Sequence, residues 1–530
     1  MSHAIARDIA SSLTENEALP LYDLVERTPL GEAKKLSAKF GNRIFLKRED
    51  MQGVRSFKIR GAYKKLLSLS PKQRACGVIT ASAGNHAQGL ACAARHLGCA
   101  ATIVMPATTP TIKIKGVQEF GAHVILHGNT FAEALSLAHQ LRDAEGLEFI
   151  HPFDDLEVIK GQATIALELL EQRPAGMDYI FVPVGGGGLI AGIAAIIKQN
   201  SPNTVIVGVE PDDANCMQRA ISLGQPSKLS SVGIFADGVA VDLAGSITYD
   251  ICKDTIDHII TVNSDEICTA VKDVFEDSRA LLEPSGALAI AGVKKFFANR
   301  NVENKSVVAI CSGANLNFDR LGYICERALL GDKQEKLFAA IITEQPGSLK
   351  NLCAEVKSLN ITEFNYRRCM GDKAAVFIGL KKTNDTQESA FFHEENPNGI
   401  RVIDLSHDEI ARAHVRHMIG GKLSHTRETI YRIAFPERPG AFHNFLACVE
   451  GSTAITLLHY RNHGAAQGDV IIGLESAANI EEPFEQRMDQ LGYIYDVVTT
   501  NESLSIFLDS VPYHDSHFSA VKSTSASLVL

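Results

Sequence analysis

Between about residue 40 and residue 315, short apolar runs rich in β-branched residues alternate with longer stretches in which apolar residues recur every three or four positions. Runs at 44–46, 78–80, 102–105, 123–126, 179–184, 204–209, 259–262 and 307–311 are expected as strands. Segments 87–97, 130–145 and 158–171 carry the helical period. Strand and helix alternating at this spacing predict βαβ units, a parallel sheet and an α/β body. Residues 179–197 contain no charge, but Pro183 and the four consecutive glycines Gly185 to Gly188 interrupt them. That pattern predicts a buried strand, a turn and a helix rather than a membrane span.

After Asn315 the rhythm changes. A helix is expected over 318–330, a polar linker over 331–336, and then an internal repeat. LFAAIITEQPGSL at 337–349 parallels IYRIAFPERPGAF at 430–442, so that Pro346-Gly347 aligns with Pro439-Gly440 at an offset of 93 residues. Tyr366 aligns with Tyr460, and Ile378-Gly379-Leu380 with Ile472-Gly473-Leu474, both at an offset of 94. Each unit is expected to run strand, Pro-Gly turn, helix, strand, turn, strand. The Ser-rich end, 511–530, is expected to be a flexible tail.

Composition narrows the function classes. At 530 residues the chain should hold two to four domains. With 22% charged and 45% hydrophobic residues it reads as a soluble globular protein and not as a disordered one. The 52 Lys and Arg against 62 Asp and Glu leave a net charge of −10 without a basic block, which argues against nucleic acid and anionic membrane as partners. The first twenty residues lack the basic start and apolar run of a secretory signal. Eleven cysteines without a C-x-x-C pair suggest reduced thiols and a cytoplasmic protein.

Four segments carry candidate chemistry. Ser56-Phe57-Lys58-Ile59-Arg60-Gly61 opens a helical run, and a lysine there is suited to carbonyl chemistry, although most lysines are solvated surface charges. Ser82-Ala83-Gly84-Asn85-His86 follows the strand ending at Thr80; its small residues admit a ligand such as a carboxylate close to the backbone, and an ordinary capped turn is the plainer alternative. Gly185 to Gly188 between an apolar strand and an apolar helix can present N–H groups to a phosphate, but the spaced dinucleotide fingerprint and the P-loop lysine are both absent. Cys311-Ser312-Gly313-Ala314-Asn315 puts a hydroxyl at a strand's carboxyl end, where α/β proteins bind ligands.

Together, SFKIRGAY, SAGNHAQG, VGGGGL and SGAN, in this order, resemble the fold-type II (tryptophan synthase β-like) pyridoxal-phosphate enzymes. Within that group the chain is most similar to the biosynthetic threonine dehydratases, or threonine deaminases, over almost its whole length. The resemblance implies a catalytic domain over 1–330 with a small subdomain of about 56–150 inserted. It further implies ACT-like regulatory subdomains over 336–410 and 429–505, and leaves a tail over 506–530. Lys58 would form the Schiff base with pyridoxal 5'-phosphate and carry the substrate's α-proton. Phe57 would pack near the pyridine ring, Asn85 would bind the ring hydroxyl, and Ser312 would meet the ring nitrogen. Gly185, Gly186, Gly187, Gly188 and Leu189 would hold the phosphate. Ser82, Ala83, Gly84 and Asn85 would take the substrate carboxylate, with Glu283 lining the site.

The implied reaction is threonine ammonia-lyase chemistry, L-threonine to 2-oxobutanoate and ammonia, with L-serine as a poorer substrate. Serine racemases of this fold carry a second serine where this chain has Ala83, and a methyl group cannot donate a proton. The repeats would bind isoleucine as inhibitor and valine as its antagonist, with Tyr366 and Tyr460 as effector-site candidates; the alternative is that these tyrosines pack a sheet face. A homotetramer is implied as well. Other fold-type II lyases or synthases are the nearest competing reading, and a catalytically silent amino-acid sensor is a second. A metal enzyme is the weakest, since His414-x-x-His417, expected on an exposed helix, lacks a third ligand, so no metal is expected.

Overall fold

The computed structural model describes residues 2–298, 300–331, 335–343, 352, 355, 360–366, 373–381, 400–417, 428–436, 455–461, 467–475 and 484–508. The chain divides into two compact units, the first built from Met1–Asp332 and the second from most of the remaining residues.

In the first unit the strands run β1 (Leu30–Glu32), β2 (Arg43–Arg48), β3 (Val78–Ala81), β4 (Ala101–Met105), β5 (His123–Leu126), β6 (Glu148–Phe149), β7 (Tyr179–Pro183), β8 (Val205–Pro211), β9 (His258–Val262) and β10 (Ser306–Cys311). They form two sheets, ordered β1-β2-β10-β7-β8-β9 and β5-β4-β3-β6. All pairings are parallel except β1 with β2, so the expectation of parallel strands fails at one edge, where Leu30 faces Lys47 across an antiparallel ladder. β7 and, after Ser306, β10 are apolar because both faces of the larger sheet are covered. Ile180, Val182, Val308 and Ile310 enter one core with Ile190 and Ile193 of the Gly188–Asn200 helix. Phe181, Val307 and Ala309 enter the opposite core with Leu288 of the Pro284–Phe297 helix.

Local chemistry sets the helix ends. Thr130 is not the first helical residue but the cap: its hydroxyl accepts from Glu133 N while the Glu133 carboxylate accepts from Thr130 N, and the Phe131–Glu145 helix closes on the left-handed Gly146. The helix Lys58–Ser68 lies close against Leu156–Gln172 because Gly61 has no side chain; a Cβ there would sit 2.8 Å from the Val158 carbonyl oxygen. The N-terminal helix Ser2–Ser12 buries Ala6 and Ile9 in this unit's own core.

The second unit contains β11 (Glu335–Thr343), β12 (Asn360–Tyr366), β13 (Lys373–Lys381), β14 (Arg401–Asp404), β15 (Glu428–Pro436), β16 (Ile455–Arg461), β17 (Gln467–Glu475) and β18 (Ile494–Val497). Its two sheets, β12-β13-β11-β14 and β16-β17-β15-β18, share one topology, with four strands where three were expected. Even the irregularities repeat: the register shifts between Ile361 and Glu363 in one sheet and between Ile455 and Leu457 in the other. Residues 335 and 336, expected in the linker, instead open β11 opposite Lys381 and Leu380. The Pro-Gly turns at 346–347 and 439–440 and residues 509–530 lie outside the described residues, while residues 506–508, expected in the tail, instead end the Glu502–Leu508 helix. Asp408 caps the short helix Glu409–Ala413, and Asn501 occupies the same place before Glu502–Leu508. The two caps touch, since Ser503 Oγ donates to Asp408 Oδ2 at 2.6 Å and Asn501 Nδ2 reaches the same oxygen at 3.4 Å. Among the described residues no helix is long and apolar enough to cross a membrane.

Candidate active site

The sequence candidates of the first unit converge at the carboxyl ends of the parallel strands. Ser56 bridges to Gly313, and Phe57 N donates to Ser312 O at 3.1 Å, which seats the start of the Lys58–Ser68 helix on the end of β10. Asn85 begins the Asn85–His96 helix after β3, and Gly185 to Gly188 turn β7 into its helix. Glu283 precedes the Pro284–Phe297 helix. Phe57, Lys58, Asn85, Gly185 to Gly188, Leu189, Glu283 and Ser312 line one cavity. Ser82, Ala83 and Gly84 form the half-exposed turn next to it, where the Ser82 hydroxyl accepts from Gly84 N at 3.3 Å; they do not line the cavity wall. Tyr366 and Tyr460 belong to the second unit, at matching positions of β12 and β16 opposite Val376 and Val470.

Lys58 Nζ donates to the Pro152 carbonyl oxygen at 2.9 Å and lies 5.3 Å from the centre of the Phe57 ring. Loss of hydration lowers its pKa to about 8, so a useful fraction of neutral amine exists near neutral pH. Two histidines nearby stay uncharged. Burial, and then the charge of Lys58, push His86 down to about 3, while burial is the leading cause of the fall of His151 to about 4.

A side-chain relay crosses the other wall. Asn315 Nδ2 donates to Asn85 Oδ1 at 2.7 Å, and Asn85 Nδ2 donates to Glu283 Oε1 at 2.6 Å. The chain of bonds fixes which way the Asn85 amide points. Burial, reinforced by the negative charge of Asp237, raises the Glu283 carboxyl to about 7. Ser312 Oγ donates to Ser285 O at 3.3 Å. Gln162 Oε1 and Ser285 Oγ are enclosed without a protein partner among the described residues.

Sequence reasoning missed several wall residues: Pro152, Phe153, Gln162, Gly238, Val239, Val241 and Ser285. Ser285 stands two positions after Glu283, and Asn315 of the relay three after Ser312, so proximity in the chain could have assigned both. Pro152 and Phe153 belong to an irregular segment with no periodic signal. Elsewhere, the His414-x-x-His417 pair is corrected: His414 is buried at the end of a five-residue helix, and no group of three or more metal-ligating side chains occurs among the described residues.

The chain is similar to known proteins over most of its length. Residues 21–313 match the family of pyridoxal-phosphate dependent enzymes, and residues 326–415 and 419–508 each match the C-terminal regulatory domain of threonine dehydratase. The biosynthetic L-threonine dehydratase of Pasteurella multocida is 46% identical over 491 residues, covering 92% of this chain and 95% of that one. The chloroplastic biosynthetic enzyme of Arabidopsis thaliana is 42% identical over 497 residues, covering 94% of this chain and 84% of its own length. Among solved structures, the processed form of threonine deaminase isoform 2 from Solanum lycopersicum matches with a TM-score of 0.58 and 48% identity, covering 59% of this chain and 92% of that one. Maize serine racemase matches with a TM-score of 0.56 and 31% identity, over 61% of this chain and 98% of that one. A pyridoxal-phosphate dependent domain followed by a regulatory domain matched twice accounts for most of the chain, relatives more than 40% identical extend over nearly all of it, and the chain belongs to the pyridoxal-phosphate-dependent family of biosynthetic threonine dehydratases.

Proposed function

We propose that this chain is a threonine ammonia-lyase that converts L-threonine to 2-oxobutanoate and ammonia, the first committed step of isoleucine biosynthesis, and processes L-serine less well. The observation that carries the reading is an enclosed lysine, with its pKa lowered to about 8, in the same cavity as the glycine turn at a helix start. The cavity suits pyridoxal 5'-phosphate: Lys58 offers an amine, and the first turn of the Gly188–Asn200 helix offers N–H groups to a dianion. Asn85 and Ser312 would hold the ring's polar edges, and Phe57 its face. When bound, the cofactor supplies the electron sink that accepts the charge left by the departing α-proton.

The chain's own groups then divide the work. Lys58 Nζ takes the α-proton, its neutral form favoured by burial. Ser312 contributes a neutral hydroxyl, which unlike a carboxylate does not hold a ring nitrogen protonated; that favours loss of the β-hydroxyl over amino-group transfer. Ser82 to Asn85 orient the substrate carboxylate. Ala83 leaves no proton donor at the position serine racemases fill with a second serine, so elimination wins over racemisation. The repeats bind isoleucine as inhibitor and valine as antagonist, with Tyr366 and Tyr460 in the effector sites, and the protein works as a cytoplasmic homotetramer. The test is 2-oxobutanoate formation from L-threonine with and without L-isoleucine. Production suppressed by isoleucine is expected. Production indifferent to it removes the feedback assignment, and a folded, cofactor-loaded protein that forms no product removes the reaction.

A further inference from the structure

The glycine turn is anchored on one side only. The Gly185 carbonyl accepts from the Cys216 thiol at 3.4 Å, and the Gly187 carbonyl accepts from Ala191 N at 2.9 Å. The Gly186 carbonyl accepts twice, from Thr248 Oγ1 at 2.6 Å and from Gly245 N at 3.2 Å. The N–H groups of Gly185 to Gly188 have no partner among the described residues. A peptide unit is planar with its C=O and N–H pointing in opposite directions. Pinning the Gly186 oxygen to the fully buried Thr248 therefore turns the Gly187 N–H the other way, toward the cavity that Gly187 lines.

Thr248 is itself held. The Asp154 carboxylate accepts from the N–H groups of Ser246, Ile247 and Thr248 at 2.9, 2.9 and 3.2 Å, capping the Ser246–Thr255 helix with a charge suited to its positive end. Asp154 sits in a short segment whose other members also serve the cavity. Pro152 O receives Lys58, the Phe153 ring fills the space a side chain at Gly186 would need, and His151 Nδ1 accepts from the N–H groups of Phe153 and Asp154 at 3.2 and 2.7 Å.

We propose that Thr248, seated by Asp154, is a positioning residue for cofactor binding: it turns the Gly186–Gly187 peptide so that its N–H faces the cofactor phosphate. This rests on the glycine turn being the phosphate cradle. The experiment titrates pyridoxal phosphate, and separately pyridoxal without the phosphate, onto the cofactor-stripped full-length protein, following the bound chromophore. Thr248→Val should weaken pyridoxal phosphate about tenfold and pyridoxal by less than about twofold. Thr248→Ser keeps the hydroxyl and should stay within about twofold of the parent for both ligands. Asp154→Ala should weaken pyridoxal phosphate in the same selective way, and the double variant should lose little beyond the weaker single, because the two residues act through one peptide.

Equal weakening of both ligands by Thr248→Val, unchanged pyridoxal phosphate affinity, or Thr248→Ser as impaired as Thr248→Val would overturn the proposal. Gly187→Ala separates the two layers of the reading. If it leaves pyridoxal phosphate affinity unchanged, the cradle assignment fails and the inference with it. If it weakens binding while Thr248→Val does not, the inference alone fails.

Discussion

The two ends of the cavity are supported by different physics. Lys58 projects from a helix whose opposite side is charged: Arg60, two residues on and about 200° around the helix, is fully buried. Its guanidinium meets both oxygens of Glu49 at 2.7 Å and Glu168 Oε1 at 2.6 Å. Lys47 Nζ completes the group at 2.5 Å from Glu168 Oε2 and 2.7 Å from Thr28 O. Burial opposes the charge on Arg60, but Glu49 and Glu168 outweigh it and raise its proton affinity; the same contest, won by Arg60 and Lys47, keeps Glu168 below the ordinary carboxylate range. The glycine turn instead hangs from neutral donors, a hydroxyl, a thiol and backbone amides. Two cations and two anions cancel beneath the amine, whereas the groups that hold the carbonyls of Gly185, Gly186 and Gly187 among the described residues are all uncharged. An ionic support suits the element that must not move, since its geometry is bidentate and directional. A neutral one leaves the turn's N–H groups without a competing charge, as the proposed phosphate cradle requires.

Arg60→Met is the strongest test of this contrast. It leaves Glu49 in the interior without a cation and Glu168 with Lys47 alone, and should cost about 3–5 kcal/mol, read as a lowered midpoint in calorimetry or denaturant unfolding. A midpoint equal to that of the parent would show the ionic support to be dispensable. Gly187→Ala probes the neutral end. Gly187 has φ of 96°, and an added Cβ would lie 2.9 Å from Thr248 Cβ, so a penalty of about 1–3 kcal/mol is expected, with cofactor loss on dialysis the more sensitive readout. The smallest effect belongs to Glu283→Gln, which keeps an acceptor for Asn85 but removes the titration. A fall of about threefold in kcat and loss of the inflection near pH 7 in the activity profile are expected. The folded protein holds this proton more tightly than the unfolded chain, about 7 against 4.5. The carboxyl's share of stability is therefore full below pH 4.5 and lost as pH rises through 7, and the variant should lack that slope.

The regulatory repeat shows how far a pattern in sequence reaches. Offsets of 93 and 94 residues anticipated two copies of one module, and the copies match down to the bulge in β12 and β16. The fourth strand of each copy was not anticipated. β14 and β18 are four residues long, the first partly buried and the second mostly exposed, too short to show alternation above the surrounding polar residues. The contact between the two caps, Asp408 with Asn501 and Ser503, was equally invisible, because each residue alone reads as the start of its own helix.

From the residues alone came the strand and helix rhythm of the first unit, the duplicated module, and the motifs that supply Lys58, Asn85, Gly185 to Gly188 and Ser312; Glu283 came from the family resemblance. Those features are local: burial on both faces writes continuous apolar strands, and a turn that opens a helix must use small residues. Tertiary structure alone decided that the strands form two sheets, that β1 runs antiparallel, and that Pro152, Phe153 and Gln162 share a wall with Lys58. It also brought Arg60 to Glu168 and Thr248 to Gly186, pairs separated by 108 and 62 positions. Such partners leave no periodic trace, because a buried ion or hydroxyl is satisfied by whatever packing brings to it, and packing is a property of the folded chain.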